Sequence, residues 1–248
     1  MEQVRRIAVV TGGARGIGRA IAAAFVSRGI TTVIADIDLP AAEKAAAELR
    51  TASAEAVAAK VDMSRPEDIA RLVTDLVARF GRLDILVNNA GILSNTPFDE
   101  ISEAEWDRVL DINLKGVLFA SREALKPMLS RGWGRIISIS SLAGRNGGIS
   151  VGPAYAASKA GVIGITRHLA NKVARNGITV NAVAPGTTET DIIKGFTEDQ
   201  LAAINKSIPV GRLGKPEEIA EMVAFLASDT AAFITGAVMD INGGMYMG

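Results

Sequence analysis

The chain has 248 residues, 48% of them apolar and 4% aromatic, with 25 glycines, a composition that suits a globular core of Val, Ile, Leu and Ala. Lysine plus arginine and aspartate plus glutamate number 27 each, so no basic excess points to nucleic acid or to an anionic membrane. There is no cysteine, one histidine (His168) and no apolar run near the roughly 20 residues of a membrane span, so the sequence predicts no disulfide framework, metal site or membrane insertion, with the cytoplasm as default compartment.

Arg6 to Thr11 is a short apolar run of the kind that makes a doubly buried parallel strand. It enters Thr11-Gly12-Gly13-Ala14-Arg15-Gly16-Ile17-Gly18, after which Ala20, Ile21, Ala24 and Phe25 recur at helical spacing. Strand, glycine turn and helix are the context of a phosphate-binding loop. The glycines let backbone approach a pyrophosphate, and free amides at the helix start favour its charge. Thr32 to Ala35 reads as a second strand with Asp36 at its end, where an acid bonds the hydroxyls of an adenosine ribose and repels the extra phosphate of NADP. Asp38 adds charge of the same sign, whereas Arg15 would favour that phosphate. The balance predicts NAD, with NADP as the alternative.

Pro40 to Arg50 reads as helix, and Ala56 to Val61 as a third strand ending at Asp62-Met63-Ser64, where Asp62 either meets adenine or caps the turn before Pro66. A helix through Ile69, Leu72, Val73 and Leu76 stops at Gly81. Leu83 to Val87 then forms a fourth strand running into Asn88-Asn89-Ala90-Gly91, which supports a close backbone or holds neighbouring strands by side-chain bonds. Ser102 and Glu105 are spaced as a capping box opening one long helix, with Trp106, Val109, Leu110 and Leu114 as its stripe and Asn113 in its middle.

Gly134 to Ser138 is a fifth strand, and Ser141 follows its C-terminal end. Beyond a glycine-rich loop, Tyr155 and Lys159 stand one turn apart on a helix over 154–174. The ammonium is expected to lower the phenol's pKa toward neutrality and make Tyr155 a general acid or base, with Ser141 holding a carbonyl oxygen against it. Small or apolar residues surround most of that helix, which predicts packing on the sheet and on another subunit. Ile178 to Val183 is a sixth strand leading to Pro185-Gly186-Thr187, and Thr188 to Ile208 reads as a substrate lid with a short helical piece. Lys215-Pro216-Glu217 opens a last helix, and Ala237 to Ile241 is a seventh strand.

The alternation predicts a single α/β domain over 1–248, a doubly wound seven-stranded parallel sheet with helices on both faces, with a cofactor half over roughly 1–140 and a catalytic half over roughly 141–248. The flagged residues follow strand C-termini, the ligand edge of such sheets. On these motifs the chain resembles the short-chain dehydrogenase/reductase family, a Rossmann fold. Thr11 to Gly18 matches the family's cofactor loop, Asn88 to Gly91 its Asn-Asn-Ala-Gly, and Pro185-Gly186 its nicotinamide-side motif; Asn113, Ser141, Tyr155 and Lys159 match its catalytic tetrad.

The resemblance implies hydride transfer between a nicotinamide dinucleotide and a secondary alcohol or ketone. Tyr155 would exchange the proton, Ser141 would orient the substrate, Lys159 would bind the nicotinamide ribose and depress the Tyr155 pKa, and Asn113 would hold a relay water. It further implies cofactor contacts from Gly12, Arg15, Gly16, Ile17, Gly18, Asp36, Asp62, Met63, Asn89, Ala90, Gly91, Tyr155, Lys159, Pro185, Gly186 and Thr187, and a homotetramer. Within the family, Glu189-Thr190-Asp191, Pro209 to Leu213, Ile234-Thr235-Gly236 and Asn242 to Met247 resemble the 3-oxoacyl-acyl-carrier-protein reductases. Asp36 directs the leading expectation to an NAD-linked alcohol or polyol dehydrogenase with a small-molecule substrate. An NADPH-dependent 3-oxoacyl reductase, with acyl carrier protein as partner, is the alternative, and a non-catalytic dinucleotide sensor the remote one.

Overall fold

In the computed structural model, which describes residues 5–51, 54–148, 151–190 and 197–248, the apolar runs become seven strands. These are β1 (Ile7–Thr11), β2 (Thr31–Asp36), β3 (Ala56–Lys60), β4 (Ile85–Asn88), β5 (Gly134–Ile139), β6 (Ile178–Pro185) and β7 (Val238–Ile241). They form one sheet in the order β3-β2-β1-β4-β5-β6-β7, with every neighbouring pair parallel. The helices between them are α1 (Gly16–Ser27), α2 (Leu39–Leu49), α3 (Pro66–Phe80), α4 (Glu103–Leu110), α5 (Gly116–Arg131), α6 (Ala143–Asn146), α7 (Pro153–Val173), α8 (Glu198–Ser207) and α9 (Pro216–Leu226).

The period of two along each strand divides the core between the two faces. Ala8 and Val10 of β1 join Ile21 and Phe25 of α1 and Ile219 and Val223 of α9 in one apolar cluster. Val9 belongs to the other, with Leu72 and Leu76 of α3 and Ala124 and Met128 of α5. Strand order reverses between β1 and β4, and the crevice beyond the C-terminal ends of strands at such a reversal is where doubly wound sheets take ligands.

Two expectations change in the structure. The single long helix after Ser102 is two helices, α4 and α5, joined by a π-helical turn over Asp111–Lys115, whose wider ring accommodates a fully buried Asn113. The glycine-rich stretch after Ser141 contains the short helix α6. The second side of α7 is covered in part from within the chain, where Leu114 fills the space over Gly161, while Ala157, Ala160 and Gly164 stay exposed. Of the expected lid, α8 carries a complete capping box from Thr197 and Gln200, whereas Ile192, Ile193, Lys194 and Phe196 lie outside the described residues. No helix among the described residues is long and apolar enough to cross a membrane.

Candidate active site

β1 ends at Thr11, and the chain turns through Gly12, at φ 61°, to begin α1 at Gly16. A Cβ on Gly18 would overlap the Gly12 carbonyl oxygen, so only glycine lets the first turn of α1 lie against the loop. The residue before the helix, Arg15, makes no side-chain cap, and the first turn holds no acid. Among the described residues no side chain caps its leading amides, and the cradle fits the pyrophosphate of a dinucleotide. Ile17 in that turn is half-buried against the core. Asn89 secures the loop from β4: its side-chain amide donates to the Thr11 and Gly12 carbonyls, both at 2.9 Å. The Thr11 hydroxyl accepts from the Asn89 and Ala90 amides at 3.0 and 3.1 Å. The Asn89 side chain thus shapes the cradle from behind.

Asp36, 8% exposed at the end of β2, accepts from the Ala14 amide and the Asp38 amide, both at 3.1 Å, which sets its carboxylate against the glycine loop. Asp38 caps α2 through the Ala41 amide at 3.2 Å and pairs with the Arg15 guanidinium at 3.0 Å. The cation that would favour an extra ribose phosphate is already on a carboxylate. Ile37, between the two acids, is 62% exposed and offers an apolar surface beside Asp36. No motif marks Ile37 in the sequence. Asp62 takes the turn-capping alternative, accepting from the Ser64 amide and hydroxyl at 2.9 and 2.7 Å, and the Met63 side chain is buried in the core.

The remaining residues meet over β4, β5 and β6. Asn113 accepts from the Ile92 amide at 2.8 Å, donates to the Ile92 carbonyl at 2.9 Å and donates to the Ser158 hydroxyl at 3.2 Å. Ser158, fully buried, donates in turn to the Tyr155 carbonyl at 2.8 Å. Ser140 donates to the Lys159 carbonyl at 2.8 Å, tying the same turn of α7 to the end of β5. Neither serine carries a motif; each is visible only once α7 is seated. Gly91 lies close enough that a Cβ there would stand 3.1 Å from Asn113 Oδ1 and 3.4 Å from Lys159 Nζ. Pro185 accepts from the Leu142 amide at 2.8 Å, the Gly186 amide donates to Ile241 at 2.9 Å, and Thr187 accepts from Gly214 at 3.0 Å, so this segment borders the Ser141 turn.

Ser141 accepts from the Ala143 amide at 3.1 Å, and its hydroxyl lies near enough to the Tyr155 phenol to draw the phenol's pKa down. The expected lowering of the Tyr155 pKa does not occur. Burial pushes the phenol up, and the Ser141 hydroxyl pulls it only partway back. Lys159 Nζ stands 5.7 Å from the Tyr155 ring centroid and donates to the Ile139 carbonyl at 2.9 Å. Burial also lowers the lysine, from 10.5 to about 8.

That depression is a statement about stability. The unfolded chain holds the proton more tightly, so the full penalty applies below about 8 and is relieved as pH rises from there to 10.5. It amounts to about 3 kcal/mol. Lys159→Met removes the penalty but leaves the Ile139 carbonyl without its donor, a loss of about 1–2 kcal/mol. The variant is expected to melt above the parent at pH 7, with the gain gone by pH 10.5, as thermal denaturation at the two pH values will show.

The comparisons with known proteins agree with this geometry. Residues 12–246 match a family model described as enoyl-(acyl carrier protein) reductase. The chain is 43% identical over 244 residues, 98% of each chain, to the 3-oxoacyl-[acyl-carrier-protein] reductase of Escherichia coli strain K12. It is 42% identical over 240 residues, 96% of each chain, to the cis-4-hydroxycyclohexanecarboxylate dehydrogenase of Sinomonas cyclohexanicum. The solved structure of gox2181 superposes with a TM-score of 0.93 at 36% identity, covering 97% of this chain and 95% of the other. A glycine cradle, a Ser-Tyr-Lys cluster at the strand ends and relatives matched from end to end place the chain in the short-chain dehydrogenase/reductase family of oxidoreductases.

Proposed function

We propose that this oxidoreductase reduces a 3-oxoacyl thioester to the 3-hydroxy form, with NAD(H) as its dinucleotide. The observation that carries the chemistry is Tyr155 on the first turn of α7, with Lys159 Nζ 5.7 Å from its ring centroid and the buried phenol held above its ordinary pKa despite the Ser141 hydroxyl. It is protonated at neutral pH and suited to give a proton to a ketone oxygen. For the substrate class, a full-length relative named for 3-oxoacyl reduction at 43% identity favours the thioester over the alcohol or polyol substrate that Asp36 alone suggests. In this reading Ser141 orients the ketone oxygen, Tyr155 protonates it, and Lys159 holds ribose hydroxyls near the phenol. Asn113, its side chain committed to Ile92 and Ser158, positions the turn that would carry the relay water. Bound in the cradle of Gly12, Gly16 and Gly18, the dinucleotide supplies the hydride.

NAD rather than NADP is supported by the Asp36 carboxylate at the cradle and by the Arg15–Asp38 pair. Ile37 would border adenine, with the Asp62 turn capped behind it, and Gly91 and Pro185 to Thr187 would border the nicotinamide side. We further propose a homotetramer, with the exposed Ala157, Ala160 and Gly164 of α7 and Leu118 of α5 facing a second copy, and acyl carrier protein as bearer of the thioester. A second reading, oxidation of a hydroxylated cyclic carboxylic acid, is favoured by the relative at 42% identity. The deciding assay is turnover of an acetoacetyl thioester with NADH and with NADPH, beside cis-4-hydroxycyclohexanecarboxylate with NAD, followed by dinucleotide absorbance. NADH-linked thioester reduction is expected. Turnover of the cyclic acid alone transfers the assignment to the second reading, and efficiency with NADPH only overturns the role given to Asp36.

A further inference from the structure

Ser102 and Glu105 have the spacing of a reciprocal cap, yet only half of it forms. The Ser102 hydroxyl accepts from the Glu105 amide at 3.2 Å, while the Glu105 carboxylate turns to the loop that follows β4. There it accepts from the Ser94 hydroxyl at 2.8 Å and, through its two oxygens, from the Thr96 hydroxyl at 2.8 and 2.9 Å. Ser94 is 5% exposed, and its carbonyl accepts at 2.8 Å from the amide of Gly152, the N-cap of α7, three residues before Tyr155. The notch around Gly152 is closed: a Cβ there would stand 2.6 Å from the Thr96 carbonyl oxygen and 2.9 Å from the Ser94 hydroxyl.

The same loop is held at its near end by Thr11 and at its middle by Asn113. Glu105 anchors the far end through two hydroxyl donors, Ser94 and Thr96, the latter shared between both carboxylate oxygens, in charge-assisted hydrogen bonds stronger than those between neutral groups. A continuous path of contacts therefore runs from α4 through Ser94 and Thr96 to the first turn of α7.

We infer that Glu105 is a positioning residue for Tyr155, fixing Gly152 through Ser94 and Thr96 and so setting where α7 presents the phenol beside Ser141. The inference rests on the reading of Tyr155 as the proton donor. Its test does not depend on the substrate, because Tyr155 and Tyr246 are the chain's two tyrosines. Labelling tyrosine with ¹³C at Cζ gives two ring signals, assigned by Tyr155→Phe.

Glu105→Ala is expected to move the Tyr155 signal and bring its titration toward that of an exposed tyrosine, with Tyr246 unchanged. It is expected to lower kcat for the acetoacetyl thioester by about 10- to 100-fold, the scale of a small misplacement of a reacting group. The Kd for NADH should stay at the wild-type value, since the Thr11 and Asn89 contacts are untouched. Glu105→Gln, which keeps an oxygen for both hydroxyls, should restore signal and kcat.

An unmoved Tyr155 signal, or an unchanged kcat, in folded Glu105→Ala overturns the inference. If that variant does not fold, Ser94→Ala and Thr96→Val, each deleting one donor, are judged by the same two readouts. A moved signal in a protein whose wild type turns over no thioester sustains the clamp and rejects the substrate reading instead.

Discussion

Tyr155→Phe is expected to lower turnover by about 10²- to 10⁴-fold, the range for losing a positioned general acid. The change removes one oxygen and leaves the ring in place. Its neighbours in the fold, Ser158 on the Tyr155 carbonyl and Ser140 on the Lys159 carbonyl, bond backbone and do not depend on the phenol. NADH binding, read by titration of its fluorescence, should therefore persist, and the loss should appear in kcat rather than in KM. A dinucleotide sensor would show the opposite pattern, with little consequence from losing the hydroxyl. Rates within two-fold of wild type would remove Tyr155 from the chemistry and with it the proposed mechanism.

The fold was legible because each buried strand is an uninterrupted apolar run and each helix a stripe, so periodicity alone separates them; β1 to β6 fall within two residues of their predicted ends. The site was legible for a topological reason, since Asp36, Asn88 and Pro185 end strands and Ser141 follows one. What the sequence did not show depends on pairings between distant residues. Arg15 reads as a free guanidinium until Asp38 is brought against it. Glu105 reads as a cap because three-residue spacing is local, whereas its partners Ser94 and Thr96 lie in the preceding loop. The π-helical turn at Asp111–Lys115 has no periodic signature, since one wide ring scarcely alters a helical stripe. Proximity to Lys159 alone points to a lowered Tyr155 pKa, whereas burial, which only the whole fold creates, raises the phenol and drives the lysine down to about 8.

Neutralising both acids at the end of β2, in Asp36→Asn with Asp38→Asn, is expected to raise the ratio of kcat/KM for NADPH over NADH by about 100-fold. A carboxylate about 4 Å from a phosphate charge, at the effective dielectric of a protein surface, opposes it by about 4 kcal/mol, and salt reduces that further. Asparagine is chosen at both positions for structural reasons. At Asp36 it keeps one oxygen for the Ala14 or Asp38 amide, and at Asp38 it remains a good cap for α2. Asp38→Asn alone should change the ratio only a few-fold, because an exposed ion pair is worth about 0–1 kcal/mol and Asp36 still repels the phosphate. Arg15→Ala added to the double variant should take back part of the gain, the part supplied by the released guanidinium on the phosphate, and leave the part that comes from relieved repulsion. Initial rates with the two dinucleotides across the four proteins decide the matter. An unchanged ratio in the double variant would place the adenosine ribose away from Asp36, and a gain undiminished by Arg15→Ala would remove Arg15 from phosphate recognition.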